Sequence, residues 1–150
     1  TGVRTFEAAA FLRRCGADVT RVRKMFREHV EDYRAKGEAI RNAELFREHF
    51  AISVCPSEGL DSPTVVGAQA ANELLNIIGV KASFVLTDYR NTIYISARSI
   101  DEINVQIVME RLGGGGHLNI AGAQLEHYSI TEAKDVLKQT LQKMLDEGDI

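Results

Sequence analysis

Apolar residues recur at helical spacing over the first 45 residues of the chain and at strand spacing directly afterwards. Residues 5–15 are alanine-rich and predict a short helix that ends at Gly16. From Val19 to Leu45 a thin apolar stripe indicates a second helix, which Gly37 ends or kinks. The stripe consists of Val19, Val22, Phe26, Val30, Tyr33 and Ile40. We interpret this helix as a connector that packs along one partner, with a dimer contact as the alternative.

From His49 the pattern indicates strands alternating with helices. Residues 49–56 predict a strand that Pro56 ends, and Ser62-Pro63 predicts the capped start of a well-buried helix to Ile78. The remaining elements are strands over 80–88 and 92–99 around a Tyr89-Arg90-Asn91 turn, a helix from Asp101 as cap to Leu112, a strand over 121–127 and a helix over 131–145. This order predicts the α/β class, with a mixed sheet covered by helices and preceded by a helical arm.

Four consecutive glycines, Gly113, Gly114, Gly115 and Gly116, stand directly before His117. One glycine suffices to end the preceding helix in the left-handed conformation, so the others need a further reason. Consecutive glycines can turn their N–H groups towards one point and let a phosphate or a base approach the bare main chain. His117 would add a hydrogen-bond donor at the rim. The run therefore predicts an anion-binding loop, with a flexible turn as the alternative.

Arg98 and Ser99 end a predicted strand, where α/β folds usually place ligand sites. A guanidinium at that position can hold a phosphate through two parallel hydrogen bonds. The alternative is a surface arginine paired with Asp101 or Glu102. Ser99 would donate beside Arg98 or cap the turn, and Asn104 would line the same pocket or cap the next helix. The P-loop, GxGxxG and HExxH patterns do not occur in the sequence.

Charge and cysteine content narrow the classes of ligand and site. Residues 1–49 contain 11 Lys and Arg against 8 Asp and Glu, a net charge of +3, whereas residues 50–150 contain 7 against 13, a net charge of −6. The second part is therefore unsuited to broad polyanion binding, and a phosphate there needs a focused site. Cys15 and Cys55 form no CxxC pair, which argues against zinc or a disulfide framework and predicts two mostly buried free thiols.

Three segments carry a resemblance to a known family. "ISARS" (residues 95–99) and "INVQIVMERLGGGGHLNIAGAQL" (residues 103–125) resemble the C-terminal, DHH-associated substrate-binding domain of DHH-family phosphoesterases. Within that family, "SPTVVGAQAANELLNIIGVKASFVL" (residues 62–86) is similar to the membrane-anchored cyclic-di-AMP phosphodiesterases of the GdpP type. The resemblance implies that residues 1–18 are the tail of a DHH catalytic domain, 19–47 an interdomain connector and 48–150 the substrate-binding domain.

The resemblance also implies a reaction. In that family, Mn²⁺ held by Asp and His residues of the DHH domain activates water, and cyclic-di-AMP is opened to linear diadenylate. Gly113–Gly116, His117, Arg98 and Ser99 would hold the phosphate and base. The Asp-His-His triplet is missing from this sequence. We therefore expect a chain that has no cofactor of its own, binds an adenine dinucleotide weakly and hydrolyses nothing alone.

The expected partners are the dinucleotide, the DHH catalytic domain and, as an option, a second copy in a homodimer. We expect a cytoplasmic position without direct membrane contact, in a protein anchored elsewhere. Two related functions stay open: the same domain from a short-oligonucleotide exonuclease, and a non-catalytic RNA-binding module like that closing alanyl-tRNA synthetases. The net charge of −6 after residue 49 disfavours the RNA module, because RNA affinity depends on many cationic contacts. A dimerisation domain with a flexible glycine loop is the fourth hypothesis.

Overall fold

A six-stranded mixed sheet forms the centre of the computed structural model, which describes residues 2–100 and 102–150. The strands are β1 (Glu44–Phe46), β2 (Phe50–Cys55), β3 (Ala82–Tyr89), β4 (Thr92–Ser99), β5 (Gly115–His117) and β6 (Ile120–Glu126). The helices are α1 (Val3–Arg14), α2 (Val19–Met25), α3 (Val30–Arg41), α4 (Pro63–Leu74), α5 (Val105–Arg111) and α6 (Ile130–Glu147). The predicted α/β class with a mixed, helix-covered sheet is confirmed.

The sheet order β1-β2-β3-β4-β6-β5 combines one parallel pair with antiparallel neighbours. Strands β2 and β3 run parallel, and α4 makes the crossover between them. Strands β3 and β4 form the predicted hairpin, in which Arg90 and Asn91 have φ angles of 52° and 64°. Two consecutive positive φ values are typical of the turn whose twist matches that of paired strands.

Two apolar layers cover the sheet. On one side, β3 and β4 pack through Phe84 and Ile95 against α5 and α6, which bury Met109 and Leu137. On the other side, α3 and α4 cover β2 and β3. Two buried serines on that side, Ser53 and Ser83, donate hydrogen bonds to the carbonyl oxygens of Ala39 (2.5 Å) and Ala71 (2.6 Å). These bonds join the ends of α3 and α4 to the sheet.

The prediction of one continuous connector helix over Val19–Leu45 is wrong. The chain forms α2 and α3 with an irregular segment between them, and residues 44–46 join the sheet as an edge strand. The first strand of the sheet, β1, therefore lies partly within the segment that was predicted to be the connector helix. Gly37 lies inside α3 and neither ends it nor marks its boundary.

The predicted apolar stripe of that helix does not face a partner either. Phe26 and Tyr33 are 78% and 68% exposed, whereas Ala35 and Ala39 are buried against α4. Small side chains let two helices approach closely, so the contact uses alanines rather than the larger apolar residues. Every residue of α1 and α2 is exposed.

Several element boundaries also differ from the predictions. Helix α4 ends at Leu74, and Ile78 beyond it is fully exposed rather than well buried. The Ser62 side chain makes no capping hydrogen bond, although Pro63 does stand in the first turn. Helix α5 begins at Val105 with Asn104 as its cap. The predicted cap, Asp101, lies outside the described residues.

The last helix extends the predicted range by a few residues at its ends. The hydroxyl of Ser129 accepts a hydrogen bond from the Glu132 amide, and the Glu132 carboxylate accepts one from the Ser129 amide. This reciprocal capping box satisfies two amides at the start of α6. Gly148 ends the helix with a φ angle of 75°.

The cysteine prediction is half right. Cys55 is buried, and burial raises the pKa of its thiol to about 11. Cys15 is exposed on the segment after α1.

Among the described residues, the helices are too short or too polar to cross a membrane.

Glu44 connects edge strand β1 to α6, and this contact makes stability depend on pH. Its carboxylate lies 2.7 Å from the Lys138 ammonium and 3.0 Å from that of Lys134. Burial alone would raise the pKa of Glu44, but the two lysines outweigh it and hold the pKa below its ordinary 4.5.

A carboxylate with a lowered folded-state pKa stabilises the fold above its unfolded pKa, and this contribution disappears as pH falls through the folded value. We expect Glu44→Gln to lower the free energy of unfolding by under about 1 kcal/mol at neutral pH, because the pair is partly exposed. Urea unfolding should show the difference between the two proteins disappearing as the pH falls through the lowered pKa of Glu44. Glu126→Gln, at the opposite end of the sheet, serves as the control. A difference that persists unchanged in acid would contradict the assignment.

Candidate functional site

The candidate site is an open face of the sheet, formed by β4, β6 and β5 on the side where α3 and α4 cover β2 and β3. Strand pairing fixes which side chains share this face, because directly opposed residues of antiparallel strands point to the same side. The pairs form three rows: Arg98, Ile120 and His117; Ser96, Gly122 and Gly115; and Tyr94 with Gln124. The alternate residues of β4 and β6, such as Ile95 and Ala121, belong to the core below.

The middle row carries little side-chain volume, since it contains two glycines and one serine. A groove of about 490 Å³ lies over it. The lining residues are Thr64, Tyr94, Ile95, Ser96, Gly113, Gly114, Gly115, Gly122, Ala123 and Gln124. The start of α4 forms one wall through Thr64, and the glycine run forms another. A flat group such as a base can therefore approach main chain over much of this surface.

The glycines of the run differ in what requires them. Gly113 has a φ angle of 77° and ends α5. A Cβ atom on Gly114 would lie 2.1 Å from the Gly122 carbonyl oxygen, and one on Gly116 would lie 2.5 Å from the Ala121 Cα atom. A Cβ atom on Gly115 would have no neighbouring atom within 4 Å. Close packing against β6 thus requires glycine at positions 114 and 116. Gly115 is the one residue of the run for which neither packing nor a left-handed backbone requires glycine.

The predicted cradle of converging amides is wrong for the first half of the run. The Gly113 amide donates to the Glu110 carbonyl at 3.0 Å and the Gly114 amide to the Met109 carbonyl at 2.8 Å. Both bonds close the end of α5 in the manner of a helix C-cap. Gly115 and Gly116 belong to β5 and pair with β6 rather than forming a loop. The run therefore acts as bare main chain beside the groove.

Arg98 lies on the open face, two residues beyond Ser96 along β4, so about 7 Å separates their Cα atoms. Its Nε donates to Asn72 Oδ1 on α4 at 3.1 Å, and Nη1 donates to the Ala97 carbonyl at 2.8 Å. Partial burial lowers the pKa of Arg98, and an arginine stays charged in spite of such a shift. Glu102, the alternative partner, pairs instead with Lys81 at 2.5 Å. The guanidinium is thus held over the sheet next to the groove.

The other predicted site residues separate into two groups. His117 is exposed on the same row as Arg98, two strands away, which is roughly 10 Å at ordinary strand spacing. Ser99 is 6% exposed on the opposite side of β4, where its hydroxyl donates to Leu118 O or Asn119 Oδ1, each at 3.3 Å. Asn104 accepts from the Gln106 amide at 3.0 Å as the cap of α5. Ser99 therefore lies on the other side of the sheet and Asn104 caps α5, whereas Arg98 and His117 lie on the open face beside the groove.

The sequence does not predict seven of the ten lining residues, which are Thr64, Tyr94, Ile95, Ser96, Gly122, Ala123 and Gln124. The alternation of β4 already places Tyr94 and Ser96 on the side of Arg98. The pairing of β4 with β6, which brings Gln124 opposite Tyr94, has no local signal in the sequence.

Metal ligation has no support among residues 2–100 and 102–150. Groups of three or more His, Cys, Asp or Glu side chains suited to hold a metal ion do not occur in these ranges. The described residues do not fit a two-metal centre.

The fold is an α/β domain with a mixed, helix-covered sheet, and residues 49–144 match the DHHA1 domain. The chain belongs to this family. It is 40% identical over 149 residues to the cyclic-di-AMP phosphodiesterase GdpP of Geobacillus thermodenitrificans, covering 99% of this chain and 22% of that protein. It is 41% identical over 138 residues to the cyclic-di-AMP phosphodiesterase PdeA of Listeria monocytogenes, covering 91% of this chain and 21% of that protein.

A solved structure with the same fold is an exopolyphosphatase-related protein from Bacteroides fragilis. The TM-score is 0.82 at 22% identity, with 96% of this chain and 44% of that chain covered. This likeness concerns the fold, including the helices before the sheet. The chain spans about a fifth of the length of the curated relatives that it matches.

Proposed function

We propose that this chain is the nucleotide-binding part of a phosphodiesterase that hydrolyses cyclic-di-AMP to linear diadenylate. The groove beside the glycine run is the observation that carries the proposal. Two relatives of 40% and 41% identity are named as cyclic-di-AMP phosphodiesterases, which supports the choice of ligand. The whole protein would be the enzyme, with Mn²⁺ and its ligands in a DHH catalytic domain, and this chain would contribute binding.

The chemistry of the open face suits the two parts of a nucleotide. The floor of Ser96, Gly122 and Gly115 carries little side-chain volume and would leave room for a flat base. Arg98 and His117, one row away, supply donors for a phosphate. The ligand would lie along β4, with its phosphate towards Arg98 and its bases in the groove.

Titration of the ¹⁵N-labelled chain with linear diadenylate tests this placement. We expect amide shifts at Gly113, Gly115 and Gly122 together with a shift of the His117 ring, because all four lie on or beside the groove. Ribose 5-phosphate, which lacks a base, should produce much weaker shifts. Shifts confined to the opposite side of the sheet, or their complete absence at millimolar ligand, would overturn the proposal.

The same titration separates the alternative functions. Preference for longer oligonucleotides over either diadenylate form would favour a short-oligonucleotide exonuclease. Strong binding of transfer RNA with a steep dependence on salt would favour the RNA-binding module. A dimerisation domain would show concentration-dependent sedimentation and an unperturbed groove.

A further inference from the structure

Tyr94 is the aromatic side chain that lines the groove, and the proposed function assigns it no role in binding. It stands in the middle of β4 on the open face and is half-buried. Gln124 of β6 lies directly opposite Tyr94 in the β4–β6 pair, is exposed and lines the same groove. The row of Tyr94 and Gln124 lies on the opposite side of the bare middle row from Arg98.

The Tyr94 ring is supported from the hairpin side. Tyr89, on the same face of β3, has its ring centroid 6.5 Å away at an interplanar angle of 51°, a tilted aromatic contact. The Arg90 guanidinium lies 5.0 Å from the Tyr89 ring and extends this stack to the turn. Since Tyr89 occupies one side of Tyr94 and the groove lies on the other, the ring is held where a ligand can contact it.

The distance between Tyr94 and Arg98 indicates the size of ligand that contacts both. Four residues along a strand correspond to roughly 13 Å. In the proposed placement, the phosphate lies towards Arg98 and the first base lies over the glycine floor, about 7 Å further along the strand. Tyr94 then lies where the second base of a dinucleotide would continue. Aromatic side chains on an open sheet are a common platform for stacking unpaired bases.

From these observations we infer that Tyr94 is a stacking platform for the second base of a dinucleotide, the base farther from Arg98. Tyr94 would thereby select dinucleotides over mononucleotides. The inference rests on the proposed function, because it assumes that the phosphate lies towards Arg98. It goes further in assigning a residue to each end of the ligand.

Calorimetric titration of wild type, Tyr94→Phe and Tyr94→Leu with linear diadenylate and with AMP tests the inference. We expect Tyr94→Leu to bind diadenylate about 10-fold more weakly, a typical loss for one stacked base. Its AMP affinity should stay within twofold of wild type, and Tyr94→Phe should retain diadenylate binding because the ring is kept. Tyr128→Leu, a change of a half-exposed tyrosine before α6, is the matched control.

A second measurement needs no substitution. Stacking of an adenine on Tyr94 should move its ring proton signals upfield when diadenylate is added to wild type, and AMP should leave them in place. Equal diadenylate affinity of wild type and Tyr94→Leu, or static Tyr94 signals while diadenylate binds, would overturn the inference and leave the proposed function standing. Failure of wild type to bind either ligand would overturn the proposed function, and the inference with it.

Discussion

Gly114→Ala is expected to lower the free energy of unfolding by about 3 kcal/mol, the upper end of the usual cost of overpacking. The added Cβ atom would lie 2.1 Å from the Gly122 carbonyl oxygen and 2.6 Å from the Ala123 Cα atom. Both are main-chain atoms of β6, which is held between β4 and β5 and cannot move aside as a flexible side chain would. Relief therefore requires separating β5 from the sheet.

Thermal unfolding followed by circular dichroism measures this effect. For a chain of this length, a loss of about 3 kcal/mol corresponds to a melting temperature roughly 6–12 °C lower. Gly115→Ala is the matched control, because its Cβ atom meets nothing within 4 Å. We expect Gly115→Ala to unfold within a degree or two of wild type. Equal melting temperatures for Gly114→Ala and wild type would mean that β5 does not pack closely on β6.

Arg98→Ala is expected to weaken binding of linear diadenylate by about ten- to a hundredfold. A hydrogen bond to a charged group contributes about 1.5–3 kcal/mol, and the proposed contact of Arg98 is with a phosphate. The Asn72 and Ala97 oxygens hold the guanidinium in place before the ligand arrives, so little side-chain freedom is lost on binding.

Isothermal titration calorimetry with Arg34→Ala as control measures this loss. Arg34 is an exposed arginine of α3, so its removal changes the net charge equally without touching the open face. Asn72→Asp adds a sharper comparison, because it keeps an acceptor for Nε while placing a negative charge beside the guanidinium. We expect Asn72→Asp to weaken diadenylate binding but not adenosine binding. An unchanged dissociation constant for Arg98→Ala would remove this residue from the site.

Local patterns predict β2, β3, β4 and β6, whose signals are short-range, but neither of the edge strands β1 and β5. Alternation locates β2, β3 and β4, and the turn residues locate the hairpin at Arg90-Asn91. Alternation also predicts that the side chains of Arg98 and Ile95 lie on opposite faces of the sheet, and the strand register confirms this. The prediction of one connector helix fails because α3 packs against α4, which lies later in the sequence. This contact buries Ala35 and Ala39 rather than the larger apolar residues of the stripe.

The glycine run shows why the site could be only partly predicted. A stretch without Cβ atoms accommodates a ligand or a neighbouring strand equally well, and the sequence does not distinguish the two. Only the return of β6 alongside β5 reveals that Gly114 and Gly116 face main chain. Tyr94 and Gln124 were missed for a related reason, because strand pairing rather than proximity in sequence makes them neighbours.

The bare middle row of Ser96, Gly122 and Gly115 has a consequence for how recognition can change. Its surface is almost entirely peptide, and peptide is the same chemistry in every protein, so it offers contact without discrimination. In the proposed site, preference among ligands would then be set at its two borders, by Arg98 and His117 on one and by Tyr94 and Gln124 on the other. Exchanging a border side chain leaves the hydrophobic layer beneath untouched. A new ligand preference is therefore accessible through single substitutions that the fold tolerates.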